Sequence, residues 1–282
     1  MQHTEETLIG FEGRELFFQT WRPDGVPRAA IAIVHGGVEH SSRYQSLVDS
    51  LVEKGFALAG LDLRGHGRSK GKRGHVEDWN EIREDMSCYL AKVQKEFPGT
   101  PLYAYGNSMG GTIILDYGIR HSPALSGAIL AGAGIAQALD AARGRRVLFF
   151  AAWALSALWP SLSLKTRLDF STLIRDPEIL DEYLHDPLIL STVSARFGAE
   201  MMKTIAWVRT HPSDWKLPVL MLYGSEENFA SIDEIREFFG GLGCEDKELI
   251  IYEGAYHSLH CDLHREQVFS DIESWIDKRL QA

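Results

Sequence analysis

The sequence is short of cysteine, of basic charge and of long hydrophobic runs, and each shortage removes a class of function. Its three cysteines, Cys88, Cys244 and Cys261, are odd in number and share no paired spacing. A disulfide framework is therefore not expected, and a reducing compartment, the cytoplasm, is. Basic residues number 29 against 39 acids, a formal net charge of −10. A surface that acidic repels nucleic acid and anionic membranes in general, leaving only a local basic patch as an exception. The most apolar stretch, residues 147–159, closes at Pro160. It falls short of the ~20 residues that cross a bilayer. The opening Met1-Gln2-His3-Thr4-Glu5-Glu6 lacks the basic-then-apolar order of a signal peptide, so none is expected.

What is present is an alternation of apolar runs and helical patterns. Residues 15–21, 29–34, 56–61 and 126–130 read as strands. Residues 42–54 and 76–97 carry helical spacing, with Ile82, Met86, Tyr89, Leu90 and Val93 on one face of the second. From about residue 135 to 205 there are helical segments and polar turns but no convincing strand. Strand signals return at 219–223 and 249–252, and residues 265–280 close with an amphipathic helix. The pattern predicts an α/β core, residues 1–134 and 206–282, with a mostly parallel sheet covered on both faces. An all-helical cap, residues 135–205, interrupts it.

One pentapeptide carries chemistry. Gly106-Asn107-Ser108-Met109-Gly110 follows the apolar run 101–105 and precedes a helical run from Gly111. Strand, G-x-S-x-G, helix is the pattern of a nucleophile elbow. The serine must sit on a strained turn, and side chains two residues before and after it would collide there. A serine hydroxyl needs a base and a group that orients the base. In this arrangement the acid and then the histidine follow in the chain, on loops after later strands. His257, after the strand at 249–252, is the candidate base. Gly224-Ser225-Glu226-Glu227-Asn228 offers the acid, with Glu227 preferred and Glu226 its competitor. Main-chain N–H groups of Met109 and Gly37 are the candidate oxyanion donors.

Two other clusters are weighed and set aside. His257, His260 and His264 lack an H-E-x-x-H pattern, so no metal and no cofactor is expected. Asp62-Leu63-Arg64-Gly65-His66-Gly67-Arg68-Ser69 lacks the spacing of a phosphate-binding loop and reads as a structural turn.

Taken together, these residues resemble the monoglyceride lipase and lysophospholipase-like family of the α/β-hydrolase superfamily. The matching segments are His35-Gly36-Gly37-Val38-Glu39-His40-Ser41-Ser42-Arg43-Tyr44, the 62–69 turn with Gly71-Lys72-Arg73, and Gly106 to Gly111. They continue with Leu168-Asp169-Phe170, Asp176-Pro177, Asp186-Pro187-Leu188, Leu222-Tyr223-Gly224-Ser225 and Tyr252-Glu253-Gly254-Ala255-Tyr256-His257. The resemblance implies an eight-stranded sheet, a mobile apolar lid and cofactor-free hydrolysis of monoacylglycerols. The chain departs from the family pattern at Asn107 (usually histidine), Glu227 (usually aspartate) and Val38 (usually glycine). These changes bear on the substrate more than on the chemistry.

The sequence thus predicts a serine ester hydrolase acting on single-chain lipid esters. The same triad would serve a lysophospholipase or a broad carboxylesterase, and a non-catalytic lipid-binding module is the contrasting class. Phe150, Trp153 and Leu158 in the apolar cap segment are expected to line the acyl site. The cap is expected to touch a micelle or membrane surface transiently, the protein being otherwise cytoplasmic.

Overall fold

The computed structural model describes residues 1–135, 156–166 and 168–281. The first strand, β1 (Gln2–Ile9), pairs antiparallel with β2 (Glu15–Arg22). Then come β3 (Ala30–Val34), helix α1 (Gln45–Glu53), β4 (Ala57–Leu61) and helix α2 (Asn80–Glu96). β5 (Leu102–Asn107), α3 (Met109–His121) and β6 (Gly127–Ala131) complete the first half. Two short strands, β7 (Ser163–Lys165) and β8 (Thr192–Ser194), enclose α4 (Pro177–His185), and α5 (Ala195–Arg209) follows. The core resumes with β9 (Val219–Gly224), α6 (Ile232–Gly241), β10 (Lys247–Tyr252) and α7 (Arg265–Leu280).

Among the described residues eight strands form one sheet in the order β1-β2-β4-β3-β5-β6-β9-β10. β2 runs antiparallel to both β1 and β4; from β4 to β10 every pairing is parallel. The five central strands are buried along their whole length, as expected for continuous apolar runs covered on both faces. One face packs α2, α3 and α6 through residues such as Met86, Ile113 and Ile235. The other packs α1 and α7 through Leu47, Leu51, Phe269 and Ile272. The fold is an α/β-hydrolase fold.

The structure adds one strand and changes two sequence expectations. β1 carries no strand signal because it is an edge strand: its polar Gln-His-Thr-Glu-Glu-Thr run faces solvent on most positions. The helix expected from residue 76 begins at Asn80, where the Asp78 carboxylate takes the Asn80 N–H at 2.7 Å; Val76 and Trp79 are buried in the preceding turn. The cap is not all helical, since β7 and β8 form an antiparallel ribbon. Three residues per strand are too few to leave an alternating pattern. In addition, α5 runs across residue 205, and its Phe197 and Val208 join the core cluster.

Candidate active site

Ser108 stands between the end of β5 and the first turn of α3 with φ 52° and ψ −117°. Positive φ is costly for a residue with a side chain, and the surrounding main chain over-determines it. A Cβ on Gly106 would lie 2.6 Å from main-chain atoms of Gly110 and Gly111. A Cβ on Gly110 would lie 2.0 Å from the carbonyl oxygen of Val34. Both glycines are therefore demanded by close approach, and α3 rests directly on the end of β3.

The candidate acid and base come from the loops after β9 and β10. Nδ1 of His257 donates to Oε2 of Glu227 at 2.6 Å, and the Phe229 N–H donates to Oε1 at 2.8 Å. The Glu227 side chain is 1% exposed and that of His257 is 3% exposed. Glu226, by contrast, is exposed, and its side chain makes no hydrogen bond among the described residues. The Phe229 ring meets the imidazole edge-on at 4.6 Å. Because Nδ1 is engaged, the free lone pair of a neutral His257 is on Nε2. That atom is buried and has no partner among the described residues. Ser108 and His257 line the same cavity, with no hydrogen bond between them in this state. Such bonds commonly tighten only once substrate is present.

Gly37 and Met109 also line this cavity, and a Cβ on Gly37 would come within 3.8 Å of Met109. The Gly37 loop is held from three sides. His35 accepts from Leu63 N at its Nε2 (2.9 Å), so its Nδ1 carries the proton and donates to Gly36 O at 2.8 Å. The ring nitrogens of buried His66 lie 3.0 Å from the carbonyls of Arg64 and Gly37, so a neutral ring donates to one of them. Burial pushes His66 down to about 4, with the neighbouring His35 adding to the effect.

The third support is Glu39, a buried carboxylate. It accepts from Gly36 N at 2.7 Å, from Tyr183 OH at 2.7 Å, from Asn107 Nδ2 at 3.3 Å and from the hydroxyl of Tyr44. Burial works to raise its pKa, but His260 and the two tyrosine hydroxyls outweigh burial and bring it to about 2. Burial also pushes His260 down to about 4. At neutral pH, then, the fixed donors rather than an imidazolium charge keep Glu39 ionised. Tyr183 belongs to α4, so this carboxylate ties the cap to the loop beneath it. Leu190 N donates to Val38 O at 2.8 Å beside it, and His40 Nε2 lies 2.9 Å from Asp186 Oδ2.

The cavity holds about 330 Å³. Its far wall is apolar and comes from the cap, with Leu168, Phe197, Met201, Met202 and Ile205 prominent. Of the expected acyl-site residues, Phe150 and Trp153 lie outside the described residues. Leu158 requires a correction: it is 71% exposed and does not line the cavity. The chain turns at Pro160, with Leu162 N bonded to Trp159 O, and both Leu158 and Trp159 are left on the outer side.

The three histidines go to three different tasks. His257 meets Glu227; His260 stacks on Tyr44 at 4.3 Å; His264 lies 2.9 Å from Arg175 and 3.0 Å from Asp262. The 62–69 turn is structural, as expected: Asp62 accepts from Ser41 N, Ser41 Oγ and Arg68 N.

A family model described as serine aminopeptidase, S33, matches residues 25–264. Monoglyceride lipase of Rattus norvegicus is 33% identical over 97% of this chain and 90% of its own length. The chain belongs to the monoglyceride lipase family of serine hydrolases. Monoacylglycerol lipase of Mycolicibacterium smegmatis is 29% identical, covering 98% of each chain. The crystal structure of Paleococcus ferrophilus monoacylglycerol lipase is 26% identical, with a TM-score of 0.83 over 94% of this chain and 99% of that one.

Against the usual monoglyceride lipase family pattern, Asn107 keeps a donor where histidine is common and uses it on Glu39. Glu227 reaches His257 despite its extra methylene, and its other oxygen accepts from Phe229 N. Two contributors went unassigned from sequence. Glu39 stands within the quoted His35–Tyr44 motif, but a lone acid gives no sign that it will be buried. Tyr183 is one aromatic in an amphipathic helix, and nothing local tells it from a packing residue.

Proposed function

We propose that this protein hydrolyses monoacylglycerols to glycerol and a fatty acid. Ser108 is the nucleophile, His257 the general base and acid, Glu227 its orienting carboxylate, and the N–H groups of Gly37 and Met109 the oxyanion donors. The observation that carries the reading is the Glu227–His257 bond, buried against a cavity whose other wall is apolar and cap-derived. Ser108 Oγ attacks the ester carbonyl while Nε2 of His257 takes its proton. The carbonyl oxygen becomes an oxyanion. On collapse the ester C–O bond breaks, and the imidazolium returns the proton to the departing glycerol. Water then repeats the sequence on the acyl-serine and releases the fatty acid. The names of the rat and mycobacterial relatives support the substrate class.

In this reading residues 1–134 and 206–282 are the catalytic core and residues 135–205 the cap, whose exposed Leu158, Trp159, Leu162 and Leu164 meet a lipid surface transiently. Among the described residues no helix is long and apolar enough to cross a membrane. A cytoplasmic location, peripheral to membranes, agrees with three unpaired cysteines. The test is a panel of monoacylglycerols against di- and triacylglycerols, lysophospholipids and short aryl esters. Monoacylglycerols should give the highest kcat/KM. Preferential turnover of lysophospholipids would move the assignment to that class.

A further inference from the structure

A second cavity, of about 220 Å³, lies where the cap meets the core. Arg14, Arg64, Lys72, His75, Glu77 and Glu81 line it, and Ser161 closes it from the cap side. Its three cations face Glu77 and Glu81, but the pairing is uneven. Arg64 is held by Asp85 at 2.6 Å and by Glu81 at 3.0 Å. Nε2 of His75 lies 3.0 Å from Glu77. Both lining carboxylates are thus engaged. The guanidinium of Arg14 has no partner among the described residues, and Lys72 Nζ reaches only the Ser161 carbonyl, at 3.4 Å. His75 first, and then the fields of Arg196 and Lys72, hold Glu77 below the usual carboxylate range. Lys70 and Arg73 lie close to Lys72 in the chain; among the described residues the exposed Lys70 side chain has no partner, and the Arg73 side chain bonds only the carbonyls of Gly67 and Leu188. In a chain of net charge −10, this is a concentration of uncommitted positive charge.

Ser161 sits amid the exposed apolar residues of the cap. Leu158, Trp159, Leu162 and Leu164 are 71%, 64%, 42% and 38% exposed. A cavity with two unpaired cations, Arg14 and Lys72, beside large apolar side chains has two requirements at once: an anion for those cations and hydrocarbon for their neighbours. A free phosphate meets only the first. A phospholipid with a net negative headgroup meets both.

We propose that the Arg14–Lys72 cavity receives the phosphate of an anionic phospholipid headgroup while Leu158 and Trp159 enter the adjoining acyl layer. This rests on the cap's contact with lipid proposed above. The headgroup contact fixes which side of the molecule faces the membrane, and therefore where a membrane-borne substrate meets the cap.

Co-sedimentation with phosphatidylcholine vesicles, and with phosphatidylcholine vesicles containing phosphatidylglycerol, tests it. Wild type should partition onto the anionic vesicles about tenfold more strongly or better, despite its net negative charge. Arg14→Ala with Lys72→Ala should remove that preference, leave binding to neutral vesicles unchanged and leave hydrolysis of a soluble short-chain aryl ester unchanged. Trp159→Ser should weaken binding to both vesicle types. Equal binding of wild type to the two vesicles overturns the headgroup site and leaves the cap contact standing. Binding to neither removes both. An anionic preference that survives the double substitution also overturns the proposal, because the charge responsible then lies elsewhere.

Discussion

Glu226 and Glu227 are adjacent in the chain and opposite in environment. One is exposed; the other has a buried side chain, with an oxygen 2.6 Å from Nδ1 of His257. Glu227→Gln should therefore reduce kcat by at least about a hundredfold, because an amide can present the wrong group to the imidazole and does not stabilise its charge in the transition state. Glu226→Gln should stay within about twofold of wild type. Steady-state kinetics on a soluble ester decide it; a reversed ranking transfers the orienting role to Glu226.

Ser108→Ala should leave the thermal transition near that of wild type and lower ester turnover by at least ~10³-fold. Labelling by a fluorophosphonate should vanish in the same variant. Near-normal turnover in the purified variant would sink the mechanism.

Gly198 offers a route to chain-length selectivity. It lies in α5, lines the cavity, and a Cβ there meets no atom within 4 Å. Gly198→Phe should fill the acyl end of the cavity without displacing main chain. Long-chain monoacylglycerols should lose turnover by about tenfold or more relative to a butyryl ester, since each buried methylene contributes about 0.8 kcal/mol. If all chain lengths fall together, the acyl chain takes another path.

Stability should fall on acidification. Burial lowers His66 and His260 to about 4 in the folded protein, against about 6.5 when unfolded. The unfolded chain therefore binds more protons in this window. The neutral-ring contribution is complete above about pH 6.5 and lost as pH falls to about 4, on the order of 3 kcal/mol for each ring. Glu39, lowered to about 2, extends the loss below pH 4.5 in the same direction. Melting temperature measured from pH 7 to 4 should decline throughout; a flat profile would mean the rings are not buried as neutral groups.

Legibility in the sequence followed how local each signal was. Ser108, His257 and the helix at 265–280 stood out because glycine spacing, strand-then-loop order and a 3.6-residue period are short-range patterns. β1 was invisible because edge strands need no apolar face. The role of Glu39 was invisible because its burial is made by Tyr44, Tyr183 and Asn107, residues distant in the chain that only the folded sheet and cap bring together. Leu158 was misread because apolar composition reports that a side chain avoids water, not which lipid or protein surface it meets.

The contact of Gly110 with the Val34 carbonyl has a consequence for inhibitors. It seats the first turn of α3 on the end of β3, so the loop bearing Gly37 and the helix bearing Met109 are packed against the same strand end. On the proposed assignment, a boronic acid adduct at Ser108 would meet a pocket already at its final width. Its onset should then follow a single exponential, with a rate set by passage beneath the cap and not by any rearrangement of the main chain.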